Sequence, residues 1–398
     1  SSASDPGILA EFVTAAINVN AMLWRSSPAA TELEERMVDW TREFVGLPPG
    51  FGGVIQDTAS TSSLVALLAA RHHALPNVRA AGLAADPGAG APRVYVSEHA
   101  HSSLDKAVIA AGIGHDNLVR IPADEAYSMR PDALAAALDA DAAAGRTPVM
   151  VCATIGTTSC TSVDPVDEIA DICVAGRRGR RVWLHVDAAY AGPAASLPEM
   201  APHFEGWARA DSIVLNPHKW MSVPLDCSLL LGRDLDAFRS SLALTPEYLT
   251  SDTDAPDLMD IGIALGRRFR ALKMWFVFRR VGAAGLRDMI RRHCALAREF
   301  AERVDGDPRL ERVAPVPFST VCFRAIPPED TPAGEAAFNH ALMDAVNRDG
   351  RVFLSHTELD GRFVIRLAIG NVETNRSHVD AAWDSVDRAL AGLGRAAG

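Results

Sequence analysis

VWLHVDAAYAG, residues 182–192, and SIVLNPHKW, residues 212–220, are the stretches on which the fold of this chain turns. Each opens on a short apolar run with β-branched residues and breaks off at a polar one, Asp187 or Asn216. A strand buried on both faces reads this way as it surfaces at its carboxyl end. Outward from this pair, similar runs lie at Arg93–Ser97, Val149–Thr154 and Cys227–Leu231, mostly alternating with helix-like segments such as Asp132–Ala144, with Pro131 near its start and Gly145 at its end. The βαβα alternation predicts an α/β fold with a mostly parallel sheet covered by helices on both faces. Upstream, helices are expected across 8–46: Thr31 to Glu34 has the capping-box pattern, followed by an apolar stripe at Leu33, Met37, Trp40 and Phe44 and a stop at Gly46. Downstream, residues 242–262 show neither period and carry Glu247, Asp252, Asp254, Asp257 and Asp260, which predicts an exposed loop and a candidate lid. Residues 84–92, AADPGAGAP, read as a surface loop. Helical spacing returns over Arg267–Arg280, then in a basic helix around 285–304. Strands at Val321–Arg324 and Phe363–Ile369 and a final helix near Ser377–Leu390 follow. The division expected is a large domain over 1–284 and a smaller C-terminal α+β domain over 285–398.

Composition narrows the function. With 398 residues, 48% apolar and 22% charged, the chain can bury a large core. A net charge of −11 sets up a field that repels phosphate backbones and anionic lipid, so neither nucleic acid nor membrane is an expected partner. Apolar stretches such as Leu64–Ala70 are too short to span a bilayer, and no signal peptide opens the sequence, so a soluble, cytoplasmic protein is expected. Its first residue is Ser, as in a processed product or a segment of a longer chain. Six cysteines without a C-x-x-C pair suit reduced core thiols. His99 and His101 lack a third ligand at useful spacing, so no metal is expected.

The usual dinucleotide and triphosphate motifs, G-x-G-x-x-G and Walker A, are missing. Three other places stand just after predicted strands, where open α/β sheets bind ligands. They are Asp187 in HVDAAYAG, the group Asn216, His218 and Lys219 in LNPHKW, and the hydroxyl-rich QDTASTSS of residues 56–63, which leads into a helix. A phosphorylated pyridine aldehyde satisfies all three. The lysine amine forms a Schiff base with the aldehyde, the carboxylate holds the ring nitrogen protonated, and the helix N-terminus takes the phosphate.

In these motifs the chain resembles the group II pyridoxal-5'-phosphate (PLP) decarboxylases of fold type I, particularly the aromatic L-amino acid decarboxylases. The likeness runs from about Leu9 to the end through SPAATELE (27–34), GGVIQ (52–56), AHSS (100–103), ATIGTT (153–158), HVDAAYAG, NPHKW and LGRRFRALKMWFVFR (265–279). It implies the PLP-dependent transferase fold, a large domain that binds PLP, and a homodimer with active sites at its interface. Lys219 would be the Schiff-base lysine and Asp187 the partner of the ring nitrogen. Ala59, Ser60, Asn216 and His218 would form the phosphate cup, with Thr158 and Ala189 as further cofactor contacts. His101 would stack on the ring and face the substrate carboxylate, and Tyr248 would be the lid tyrosine that protonates the substrate's α-carbon. The implied reaction is loss of CO2 from an L-amino acid, aromatic by preference, to give the amine.

The sequence also departs from the family pattern. The resemblance implies an N-terminal helical arm that swaps across the dimer and would lie ahead of residue 1, and Asn20 and Met22 stand where apolar pocket residues are usual. Asp57 replaces a small residue beside the phosphate cup, and is expected to face solvent or cap the helix. Arg366 could meet a carboxylate or form a structural ion pair. Three alternatives stay open: an aldehyde synthase of the same family, which the pairing of Tyr248 with His101 disfavours, a decarboxylase of acidic or aliphatic amino acids, and a catalytically silent PLP-binding subunit.

Overall fold

Runs of Val, Ile and Leu without a helical stripe supply the strands of two sheets in a computed structural model that describes residues 2–85, 90–177, 179–244, 256–327 and 334–396. The first sheet has seven strands: β1 (Gly52–Gln56), β2 (Pro92–Ser97), β3 (Leu118–Ile121), β4 (Thr147–Thr154), β5 (Trp183–Asp187), β6 (Ser212–Leu215) and β7 (Ser228–Gly232). Their order is β1-β7-β6-β5-β4-β2-β3. Strands β2 to β6 run parallel, while β7 is antiparallel to both β6 and β1. The register puts Thr154 opposite Asp187 and Asp187 opposite Val214, so the carboxyl ends of β4, β5 and β6 finish side by side.

Helices cover both faces. They are α1 (Asp5–Ile17), α2 (Pro28–Phe44), α3 (Ala59–Ala74), α4 (Val78–Ala81), α5 (Ser103–Ala110), α6 (Pro131–Ala143), α7 (Val166–Ala175), α8 (Pro217–Trp220), α9 (Leu235–Leu242) and α10 (Ala271–Gly306). Buried residues of α3, α5 and α9 make the core on one face, and those of α2, α6, α7 and α10 the core on the other. The second sheet is antiparallel, with strands β8 (Leu310–Arg312), β9 (Thr320–Ala325), β10 (Ser355–Leu359) and β11 (Arg362–Ala368) in the order β10-β11-β9-β8. The end of α10, α11 (Gly334–Asp349) and α12 (Arg376–Ala396) pack on it around Phe300, Phe323, Leu342 and Val386.

The structure corrects several expectations. Helix α2 starts at Pro28, and Thr31 is no cap: its Oγ1 donates to the Ser27 carbonyl within the helix, 3.3 Å away. Pro at the first helical position sets the start there, because its missing N–H is one the helix leaves unpaired anyway. Strand β1 runs into QDTASTSS, where the sequence places a strand without giving its bounds. Close approach requires Gly53 in it: a Cβ there would lie 2.6 Å from the Leu230 carbonyl of the neighbouring strand. The stretch 242–262 is not uniformly an exposed loop, because Leu258, Met259 and Ile261 are buried and the Ile261 carbonyl accepts from Gln56 Nε2 at 3.0 Å. Residues 245–255, with the expected lid tyrosine Tyr248, and residues 86–89 of the expected loop at 84–92 lie outside the described residues. All six cysteines are buried and unbridged. Among the described residues no helix is long and apolar enough to cross a membrane.

Candidate active site

The aligned ends of β4, β5 and β6 leave a step in the sheet surface, and the chain turns there into loops that need polar partners. Asp187, the last residue of β5, is 6% exposed and its Oδ1 accepts the Ala189 N–H at 3.0 Å. The Ala189 carbonyl in turn accepts the Asn216 N–H at 3.0 Å, tying the two strand exits together. Asn216 stands just before the single turn of α8 without capping it by its side chain, and the Lys219 N–H closes that turn on the Asn216 carbonyl at 2.9 Å. The lysine is therefore held on a rigid corner, half-buried. Burial pulls its ammonium below the ordinary lysine value, against the opposing pull of the Asp187 carboxylate.

These groups line a recess of about 180 Å³. Its walls are Thr154, Gly156 and Thr158 after β4, Asp187, Ala189 and Tyr190 after β5, Asn216, His218 and Lys219 after β6, Thr58, Ala59 and Ser60 at the start of α3, and His101. The structure thus brings together every site residue read from the sequence except Tyr248, of which it says nothing. Thr58, Thr154, Gly156 and Tyr190 were not singled out, although each lies in or beside a quoted motif.

Helix α3 begins without a side-chain cap, so its first N–H groups face the recess with their share of the helix dipole. Asp57 neither caps that helix nor turns wholly to solvent: it is part-buried and takes the Thr58 N–H on its own carboxylate at 2.5 Å. His218 Nδ1 accepts the Cys227 N–H at 2.9 Å, and burial, with the Lys219 charge, takes its pKa down to about 4. It is a neutral ring whose proton sits on Nε2. His101 accepts the Ser103 N–H on Nδ1 at 3.1 Å, which likewise leaves Nε2 to carry the proton. Its ring stands at the exposed side of the recess.

A second recess of about 390 Å³ adjoins the first across Lys219, Thr158 and Tyr190, and its far wall belongs to the second sheet: Thr320, Arg366 and the segment Ile369–Asn371. Arg366 has no carboxylate partner among the described residues. It donates from Nε to the Ser159 carbonyl at 2.7 Å and from Nη1 to Ser355 Oγ at 3.1 Å. The structural ion pair considered for it is absent from that set. Asn20 and Met22 line neither recess. Asn20 instead bridges to Arg268, and its Oδ1 accepts the Arg267 N–H at 2.8 Å.

The donor set suits a phosphorylated pyridine aldehyde. An amine of lowered basicity and a buried carboxylate share one recess with an uncapped helix start and the Thr58 and Thr158 hydroxyls. Asn216 Oδ1, buried and without a hydrogen-bond partner among the described residues, leaves an acceptor free for a ligand.

Comparison with known proteins gives the same direction. Residues 1–326 match the pyridoxal-dependent decarboxylase conserved domain. Tryptophan decarboxylase 2 of Oryza sativa subsp. japonica is 42% identical over 99% of this chain and 80% of its own length. Phenylacetaldehyde synthase of Arabidopsis thaliana is 41% identical over 96% of this chain and 79% of its own length. Among solved structures, the tryptophan decarboxylase of Oryza sativa with PLP and tryptamine superposes with a TM-score of 0.92 at 37% identity, covering 99% of this chain and 82% of that one.

Proposed function

The chain belongs to the pyridoxal-dependent decarboxylase family, and from that premise we infer the reaction and the residues that carry it. It is a PLP-dependent carboxy-lyase that converts an L-amino acid with an aromatic side chain to the amine and CO2. The observation that carries the assignment of residues is the single recess shared by Lys219, Asp187 and the uncapped start of α3.

Lys219 is the residue that would hold the cofactor's aldehyde carbon. Its lowered proton affinity keeps more of the amine in the free, nucleophilic form. Asp187 would hold a proton on the ring nitrogen, and the Ala189 N–H fixes its carboxylate for that contact. Ala59, Ser60, Asn216 and neutral His218 would receive the phosphate, with Thr158 and Ala189 as further cofactor contacts, and the α3 N-terminus favours its charge. When bound, the cofactor supplies the electron sink for the pair left on the α-carbon as its bond to the carboxylate breaks. His101, held by Ser103 with a proton on Nε2, presents a donor over the open side of the recess. Tyr248 is proposed as the proton donor to the α-carbon, which separates amine release from the aldehyde chemistry named for some relatives.

We further propose a cytoplasmic homodimer. Ile8, Leu9, Phe12, Val13 and Ile17 of α1 form one exposed apolar face, with Phe12 71% exposed, and a second copy is the occupant the family resemblance supplies. The experiment that tests the whole reading is direct. After loading with PLP and treatment with borohydride, peptide mapping should find the cofactor on Lys219. The loaded chain, given tryptophan, tyrosine, phenylalanine, dihydroxyphenylalanine, histidine and glutamate, should release the amine of an aromatic member. An adduct elsewhere, or amine from glutamate alone, would overturn it.

A further inference from the structure

Tyr190 stands between the two recesses, and its surroundings give it a part that the reading above leaves unassigned. Its ring stacks on Trp220 with centroids 4.7 Å apart and planes 10° from parallel, and Trp220 is the residue next to Lys219. Phe318 meets both rings edge-on, 6.4 Å from Tyr190 and 6.3 Å from Trp220. Trp220 is fixed from its other side by His293, whose Nδ1 accepts the indole N–H at 3.0 Å. The aromatic platform under Lys219 is therefore held from α10 as well as from the sheet.

The phenol reaches across to the second sheet and lies 2.5 Å from Ser319 Oγ. Proton counting sets the direction. Ser319 has one hydroxyl hydrogen, and it goes to the Ile369 carbonyl 2.6 Å away. The Tyr190 hydroxyl must then be the donor to Ser319. Burial raises the phenol above its ordinary value, so it stays protonated and able to donate. Ser319 also accepts the Ile369 N–H on its own carbonyl at 2.8 Å. Both backbone groups of Ile369 are thus pinned by one serine, which is itself pinned by Tyr190. Ile369, Gly370 and Asn371 are the wall that faces Lys219 across the second recess.

We propose that Tyr190 is a positioning residue: through Ser319 it sets how close the wall Ile369–Asn371 stands to Lys219, and so the fit of the amino-acid substrate on that side. The proposal rests on the reading of Lys219 as the cofactor-bearing residue, but the clamp itself can be tested without cofactor. Tyr190→Phe keeps the ring stack and removes only the hydroxyl. In the cofactor-free chain, amide exchange in a peptide covering 366–372 should then accelerate, with little change in the melting temperature. In the loaded enzyme, KM should rise about three- to tenfold, the worth of one hydrogen bond, with kcat within about twofold and the visible absorbance of bound PLP unchanged.

Ser319→Ala leaves the stack intact and must show the same acceleration and the same split between KM and kcat. The double variant must be no worse than Ser319→Ala alone, because one chain of contacts is being cut. Unchanged exchange in Tyr190→Phe, a fall in kcat at constant KM, or effects that multiply in the double variant would each overturn the proposal. If borohydride fails to place the cofactor on Lys219 while exchange still accelerates, the assignment of Lys219 fails and the clamp stands.

Discussion

At the scale of single residues, Asp187 is where sequence and chemistry meet most directly. It ends a strand buried along its whole length, and a carboxylate in that position needs a partner of opposite charge. Lys219 is one, and a protonated ring nitrogen would be another. Asp187→Ala should therefore leave the fold standing and depress kcat far more than it raises KM. Loss of a charge partner in the transition state costs several kcal/mol, and each ~1.4 kcal/mol is tenfold in rate. Steady-state kinetics of a variant that still binds PLP checks this, and near-normal turnover would remove Asp187 from the mechanism. Residues of this kind were legible because a charged group closing an apolar run stands out from its neighbours. Tyr190 was not legible by the same route. An aromatic among alanines reads as core, and its partners Ser319 and Ile369 lie about 130 and 180 positions away in sequence, so no local pattern could join them.

At the scale of elements, α2 shows what was readable and what was not. Its apolar stripe gave the buried face, with Met37 and Phe44 fully covered. Its second function was hidden in the one charged residue that breaks the stripe. Glu34 is buried, and its Oε1 accepts from Arg267 Nη2 at 2.5 Å and from the Ile55 N–H of β1 at 2.8 Å. Arg267 also donates to the Ile55 carbonyl at 2.9 Å and the Ala21 carbonyl at 3.1 Å. The pair thus stitches α2, β1 and the entry to α10 together, and explains how a strand opening on two glycines is held in place. Removing one partner strands the other charge in the core, which typically costs 3–5 kcal/mol. Glu34→Ala should lower the midpoint of denaturant unfolding accordingly. A shift of under about 1 kcal/mol, as for a surface pair, would show that water reaches Arg267. The start of α2 was misplaced for a similar reason: Thr31 has the residue type of a cap, but whether a hydroxyl caps or bonds back to its own helix depends on where the preceding proline begins the turn.

At the scale of the whole molecule, three buried histidines predict how stability responds to acid. Burial is the leading cause in each case: His185, His218 and His293 are all taken from 6.5 down to about 4. The unfolded chain binds protons on them first, so the stability they contribute is complete above about pH 6.5 and drains away as pH falls toward 4. Asp164 works in the opposite sense, since burial pushes its carboxyl up to about 7 and the folded form takes its proton more readily in that same window. One group against three leaves a net loss, and denaturant midpoints measured between pH 7 and 4 should fall with acid. A flat or rising profile would contradict the burial of these rings.

Helix α10 carries a different consequence. It bends at Gly282, where φ is +74°, and supplies buried residues to both sheets: Met274, Leu286 and Ile290 to the first core, Leu296, Phe300 and Val304 to the second. The proposed division at 284/285 therefore lies inside a helix that both cores share. Neither lobe can lose its packing without unroofing the other, so the chain should behave calorimetrically as one cooperative unit. A heat-capacity scan should show a single endotherm whose van't Hoff and calorimetric enthalpies agree per folded unit, where two independently folding lobes would give two.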